Sequence, residues 1–144
     1  SVAIRAKKRR KKPLRKRKMD VTPLVKAGQQ VIQSYSGGRF KISGRIYDHP
    51  VLVFPDQPLK WKVSNDPENL DIGDFEQLIA CKDQIDVVLL GCGARMEFVS
   101  PAFRKSLKAH GLSVEPMDSG AACRTYNVLM AEERRVVAAL FPYH

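Results

Sequence analysis

Two short runs, IDVVLLG at residues 85–91 and RVVAALF at residues 135–141, constrain this chain more than any other feature. Each is almost wholly apolar, and each is stopped, one by Gly91 and the other by Pro142. An apolar run of this length without polar alternation reads as a strand buried on both faces. The fold must therefore place other elements above and below these strands.

The sequence around the two runs supplies helices to do so. In DFEQLIACK (74–82), Phe75, Leu78, Ile79 and Lys82 fall at helical spacing, with Asp74 as the expected N-cap. Ser100-Pro101 places an N-cap ahead of a proline at the first helical position; Phe103 and Leu107 then share a face, and Gly111 supplies the stop. LSVEPM (112–117) reads as a short strand, and residues 119–133 as a further helix capped by Asp118 or Ser119. Strands alternating with helices imply right-handed crossovers and a mostly parallel central sheet covered by helices.

The first half reads differently. VIQSYS and RFKIS alternate on either side of Gly37-Gly38, a hairpin signal, because a tight two-residue turn needs positive φ at both positions. RIYDHPVLVFP breaks at His49-Pro50, resumes as VLVF and stops at Pro55. LKWKV alternates again before the turn cluster SNDPEN. These early strands are expected to form a second layer or to extend an edge of the central sheet.

Charge divides the chain in two. Of the 25 Lys and Arg, eleven lie in residues 1–18, which contain no acid; the other 14 face all 15 Asp and Glu, leaving the remainder at a net −1. Residues 1–18 are expected to be a disordered basic tail, either native or upstream of a true start at Met19, and residues 19–144 a single domain. The bases of residues 7–18 suit the phosphates of nucleic acid, bound without sequence preference, or an anionic membrane surface. No apolar run approaches transmembrane length, and no signal-peptide core is visible. Cys81, Cys92 and Cys123 are odd in number and lack CxxC spacing, which fits reduced thiols in a cytoplasmic protein.

The candidate chemistry is sparse. Cys123 lies in a stretch crowded with Asp118, Arg124 and Tyr126, yet a catalytic thiol needs a base, and none of His49, His110 and His144 sits in a motif that would orient an imidazole. The expected role of Cys123 is that of a small buried residue on a helix face with Ala122, Tyr126, Leu129 and Met130. LLGCGAR (89–95) resembles a phosphate-binding turn, but the full G-x-G-x-x-G of a dinucleotide fingerprint is absent. No cofactor motif and no metal-ligand spacing is present; Asp71, Asp74 and Glu76 read as a solvated cap region. One constellation stands above these. If strands 85–90 and 112–117 are parallel, Gly91, Gly93 and Arg95 share a carboxyl edge with Ser119, Gly120 and Arg124. Helix N-termini with arginines favour anions, and open α/β sheets bind ligands at that edge. A small anionic ligand or an enzyme site there is the alternative to a purely structural cluster.

The run VEPMDSGAACRTYNVLMAEERRVVAAL (114–140) resembles the signature of domain-of-unknown-function family 498. LVKAGQQVIQSYSGGRFKISG (24–44) is similar to that family's opening hairpin, and IDVVLLGCGARMEFVSPAFRKSLKAHG (85–111) to its glycine turn and the helix after it. The resemblance covers residues 21–142 and leaves the basic tail outside. The family occurs in bacteria and archaea and includes the mitochondrial complex I assembly factor 3. The resemblance implies a three-layer α/β sandwich with a mixed central sheet and a bacterial source. It implies a non-catalytic binding or assembly role with a protein partner, at or near the inner membrane, and transfers no catalytic residue. It also implies a small polar residue more often than a cysteine at position 92. On this reading Asp118, Ser119 and Gly120 shape a helix start, Cys123 fills the core, and Tyr126 and Asn127 position the helix against the sheet.

Overall fold

A computed structural model of the protein describes residues 27–63, 66–94 and 99–142. The proposed basic tail and Arg95 lie outside these residues. Five strands form the central sheet: β4 (Val51–Val53), β5 (Pro58–Lys60), β6 (Val87–Gly91), β7 (Val114–Met117) and β8 (Val136–Leu140), in the order β5-β4-β8-β6-β7. β6 runs parallel to both β7 and β8, while β4 and β5 join antiparallel. The two runs that stood out in the sequence, β6 and β8, lie side by side in the middle.

Alternation along these strands divides the core. Val51, Val53, Leu89, Val136, Ala138 and Leu140 face one side; Leu52, Val88, Leu90, Val137 and Ala139 face the other. The first side is covered by α3 (Ser119–Ala131), through Ala122, Cys123, Tyr126 and Met130, and by a small antiparallel sheet. The second is covered by α1 (Glu76–Ile79) and α2 (Pro101–Ala109), with Leu78 and Leu107 fully buried. Complete burial of each such side chain contributes roughly 1.5–3 kcal/mol. The result is a three-layer sandwich with a mixed central sheet.

The small sheet consists of β1 (Ile32–Ser36), β2 (Arg39–Ile42) and β3 (Arg45–Tyr47). Its first turn is Gly37-Gly38, at φ 59° and 76°, as the hairpin signal requires. The early strands thus meet both expectations: β1–β3 form an added layer, and β4–β5 extend the central sheet.

Two local expectations are corrected. The helix expected at 74–82 shrinks to α1, because its entry begins earlier, in a 3-10 turn at Ile72–Phe75. Asp71, not Asp74, caps that turn: the Asp71 carboxylate accepts from the Asp74 N–H at 3.2 Å, and the Asp74 carboxylate accepts from the Asp71 N–H at 3.0 Å. Asp74 is accordingly buried, not part of a solvated face. The strand expected in LKWKV ends at Lys60, where Gln77 takes over the pairing. Its side chain accepts from the Lys62 N–H at 2.8 Å and donates to the Lys60 carbonyl at 3.2 Å. Trp61 turns inward and donates its indole N–H to the Asp74 carbonyl at 2.7 Å.

Candidate functional site

The parallel pairing of β6 and β7 brings the turn after β6 against the start of α3, as the sequence suggested for the carboxyl edge. Gly91, Gly93, Ser119, Gly120 and Arg124 do converge there. Ser119, fully buried, is the tie. Its hydroxyl donates to the Phe141 carbonyl at 2.6 Å and accepts from the Gly93 N–H at 2.8 Å, while its own N–H donates to the Gly93 carbonyl at 2.8 Å. One serine thereby joins the ends of β6, β8 and α3. Gly91 is glycine because of this closeness: a Cβ there would lie 2.9 Å from Leu140 Cδ2, 3.0 Å from Ser119 Oγ and 3.1 Å from Ser119 Cα.

The helix start already holds a carboxylate. Asp118 caps α3 by accepting from the Ala121 N–H at 2.8 Å, which places negative charge at the positive end of the helix dipole. A Cβ at Gly120 would lie 3.3 Å from both Asp118 Oδ1 and Arg124 Nη1, so these two opposite charges flank the glycine. The Arg124 side chain reaches this point from an exposed position.

Cys123 sits one residue from Arg124 but faces the core. Burial pushes its thiol up to about 12, the nearby charge of Asp118 adds to the effect, and Arg124 only partly opposes it. A nucleophilic cysteine requires the reverse, a depressed value beside a base. Tyr126 is likewise held neutral: burial, reinforced by the charge of Asp56, raises its phenol well above the ordinary range. Its hydroxyl donates to the Gln30 carbonyl at 2.9 Å. Cys92, also buried, directs its thiol to the Leu90 carbonyl at 3.7 Å. Burial raises the Cys81 thiol as well.

Among the described residues, no group of three His, Cys, Asp or Glu is arranged to hold a metal ion, and no helix is long and apolar enough to cross a membrane. Two features were not foreseen from sequence. One is the threefold tie through Ser119, whose partners lie 22 and 26 residues away in the chain. The other is a groove between α2 and the edge strand β7, where the only sequence signal was the spacing of Arg104, Lys105 and Lys108.

Residues 32–141 match the family described as "Protein of unknown function (DUF498/DUF598)". The chain is 36% identical over 112 residues to the NADH dehydrogenase [ubiquinone] 1 alpha subcomplex assembly factor 3 of Danio rerio, an alignment covering 78% of this chain and 64% of that protein. It is 34% identical over 116 residues to an uncharacterised protein of Rhodobacter capsulatus, covering 81% of this chain and 87% of the relative. A crystal structure of a Bordetella parapertussis protein superposes with a TM-score of 0.71 at 32% identity, over 81% of this chain and 98% of the other.

Proposed function

This chain belongs to the DUF498/DUF598 family, and on that footing we propose that it is a non-catalytic binding or assembly module. Its partner would be a protein subunit of a respiratory complex or of another membrane-protein assembly. The observation that carries this reading is the 36% identity, over 112 residues, to a protein named as an NADH dehydrogenase assembly factor. The chemistry of the residues is consistent with it. The best nucleophile candidate, Cys123, is a buried neutral thiol, and the Ser119 hydroxyl is engaged on both its donor and acceptor sides. Residues 7–18 would add a salt-sensitive attraction to anionic membrane or nucleic acid, and the module would work in the cytoplasm or peripherally at the inner membrane.

The test is affinity purification of the tagged full chain at low salt. Enrichment of respiratory-complex or other membrane-assembly subunits is the expected result. Failure to enrich any partner, together with turnover of a metabolite by the purified protein, would reverse the reading.

A second reading rests on Arg124, whose guanidinium lies over Gly120 at the start of α3. With Gly91, Gly93, Arg95 and Ser119 it would form an edge for a small anion. Phosphates, nucleotides and carboxylates screened by thermal shift test it. A ligand at a hundred times its Kd adds about 2.7 kcal/mol, and R95A/R124A should abolish that shift. A flat screen leaves the edge structural.

A further inference from the structure

We propose that the groove between α2 and β7 docks an extended, acidic segment of a partner protein, which adds to the edge of the central sheet. This deepens the binding-module reading and rests on it. The groove encloses about 740 Å³, with Leu112, Val114 and Pro116 among its apolar lining and Arg104, Lys105 and Lys108 along its α2 wall.

The backbone of β7 makes this an edge with open valences. Among the described residues, β7 is the last strand of the sheet and pairs only with β6. The carbonyls of Ser113 and Met117 point to β6, accepting from the Val88 and Cys92 N–H groups, each at 2.8 Å. Alternate residues of a parallel strand point the opposite way. The N–H and carbonyl of Val114 and the carbonyl of Pro116 therefore face outward. Pro116 carries no N–H, so the outward side has one donor and two acceptors; the donor, on Val114, lies at the floor of the groove, where the residue is 4% exposed. That is enough to seat a short segment by strand addition, while the missing donor disfavours indiscriminate pairing.

Charge selects the occupant. Three of the groove's lining residues are basic and only Glu115 is acidic. Glu115 pairs with Arg104 at 3.1 Å, and Lys108 reaches the Ser113 hydroxyl at 3.4 Å. Lys105 and Lys108 thus present a positive wall without a carboxylate partner among the groove's lining. The chain's own residues 1–18, with eleven bases and no acid, are repelled by this wall. A segment with Asp or Glu at alternate positions would pair its backbone with Val114 and Pro116 and set its carboxylates against α2.

The probe is a short peptide of alternating Val and Glu, titrated into the isotopically labelled full chain and followed by backbone NMR and fluorescence anisotropy. A Val/Lys peptide and an N-methylated Val/Glu peptide serve as controls. Amide shifts should concentrate at residues 104–108 and 112–117, and the Val/Lys peptide should not bind. N-methylation, which removes the backbone donors but keeps the charge, should abolish the groove shifts. K105E/K108E, at two exposed positions, should weaken binding about tenfold, equivalent to about 1.4 kcal/mol. Shifts confined to residues 1–18, equal affinity of K105E/K108E and wild type, or self-association of the protein removed by K105E/K108E would each overturn the proposal. If K105E/K108E still enriches the same assembly subunits as wild type, the groove assignment fails while the module reading stands. If wild type enriches none, the module reading itself fails.

Discussion

Asn127 of α3 holds Ile32 of β1 by both of its backbone polar groups. The Asn127 carboxamide oxygen accepts from the Ile32 N–H at 3.0 Å, and its amide nitrogen donates to the Ile32 carbonyl at 2.8 Å. β1 is an edge strand of the small sheet, and Ile32 points these groups away from β2. A helix side chain thus completes an edge that would otherwise present bare backbone, across 95 residues of sequence. Asn127→Leu leaves a donor and an acceptor without partners in a half-buried site, at a cost of about 2 kcal/mol. Chemical denaturation should show a lower midpoint with an unchanged slope, and hydrogen exchange should quicken first in β1. Asn127→Asp keeps the acceptor but sets a carboxylate against the Ile32 carbonyl, and should be no better than the leucine variant.

Ser119 and Gly91 make a second, independent prediction. Ser119→Ala strands the Gly93 N–H and the Phe141 carbonyl in a buried site, which costs about 2–4 kcal/mol. Gly91→Ala drives a methyl against Ser119 and Leu140 and costs about 1–3 kcal/mol through overpacking. Both effects are read from urea unfolding. A stability loss below about 0.5 kcal/mol in both variants would mean that the β6–α3–β8 tie is not what holds this end of the sheet.

How far these ties could be read in the sequence depends on how local they are. β6 and β8 were legible because burial on both faces demands a continuous apolar run. The Gly37-Gly38 turn, the Ser100 and Asp118 caps and the Gly111 stop were legible because each is decided within a few residues. The end of α3 was not. The helix closes at Ala131 with Glu133 in the left-handed region at φ 64°, where the N–H groups of Glu133 and Arg134 bond to the Met130 and Leu129 carbonyls. No glycine marks that stop. The Asp71–Asp74 box displaced the expected cap by three positions: two aspartates in one turn both qualify, and Asp74 is the buried one, its carbonyl accepting from the Trp61 indole. Of the candidate edge, the sequence identified Gly91, Gly93, Ser119, Gly120 and Arg124 as neighbours, while Arg95 lies outside the described residues. The sequence could not show that the Ser119 hydroxyl is engaged internally, since its partners lie on other strands.

Cys123 should be inert in the folded protein. Its thiol is raised to about 12, so alkylation by iodoacetamide near neutral pH should proceed at the rate of unfolding. Cys81, which is only partly buried, should label first. The sign of the linkage follows from the raised value: the protonated thiol favours the fold below the ordinary thiol pKa of about 8.5, and that contribution is lost as the pH rises toward about 12. Rapid native labelling of Cys123, identified by peptide mass, would restore it as a candidate nucleophile.

Asp86 and Arg135 lock the entrances of β6 and β8. The Arg135 side chain donates to the Asp86 carboxylate at 2.8 Å, and its backbone N–H approaches the same carboxylate at 3.3 Å. The Arg135 side-chain hydrogen bond, followed by the backbone one, holds the Asp86 carboxyl below the ordinary range. A depressed carboxyl value stabilises the fold above the unfolded pKa of about 3.9, and the effect disappears as the pH falls through the folded value. R135A should therefore lower the Tm more at neutral pH than in strong acid, where Asp86 is protonated and the Arg135 hydrogen bond to the Asp83 carbonyl at 3.0 Å is what is left to lose. A destabilisation that does not change with pH would show that Arg135 acts through packing or through the Asp83 carbonyl, not through Asp86.

The most direct test of the assembly-module reading is the state of the respiratory complex in cells lacking this chain. NADH dehydrogenase resolved on native gels, with subunit abundance measured in parallel, separates assembly from synthesis. The expected result is less full-sized complex, accumulated subassemblies and undiminished subunit synthesis, restored by the wild-type chain and by C123A. Full-sized complex at an unchanged level, or rescue that requires the Cys123 thiol, would contradict it.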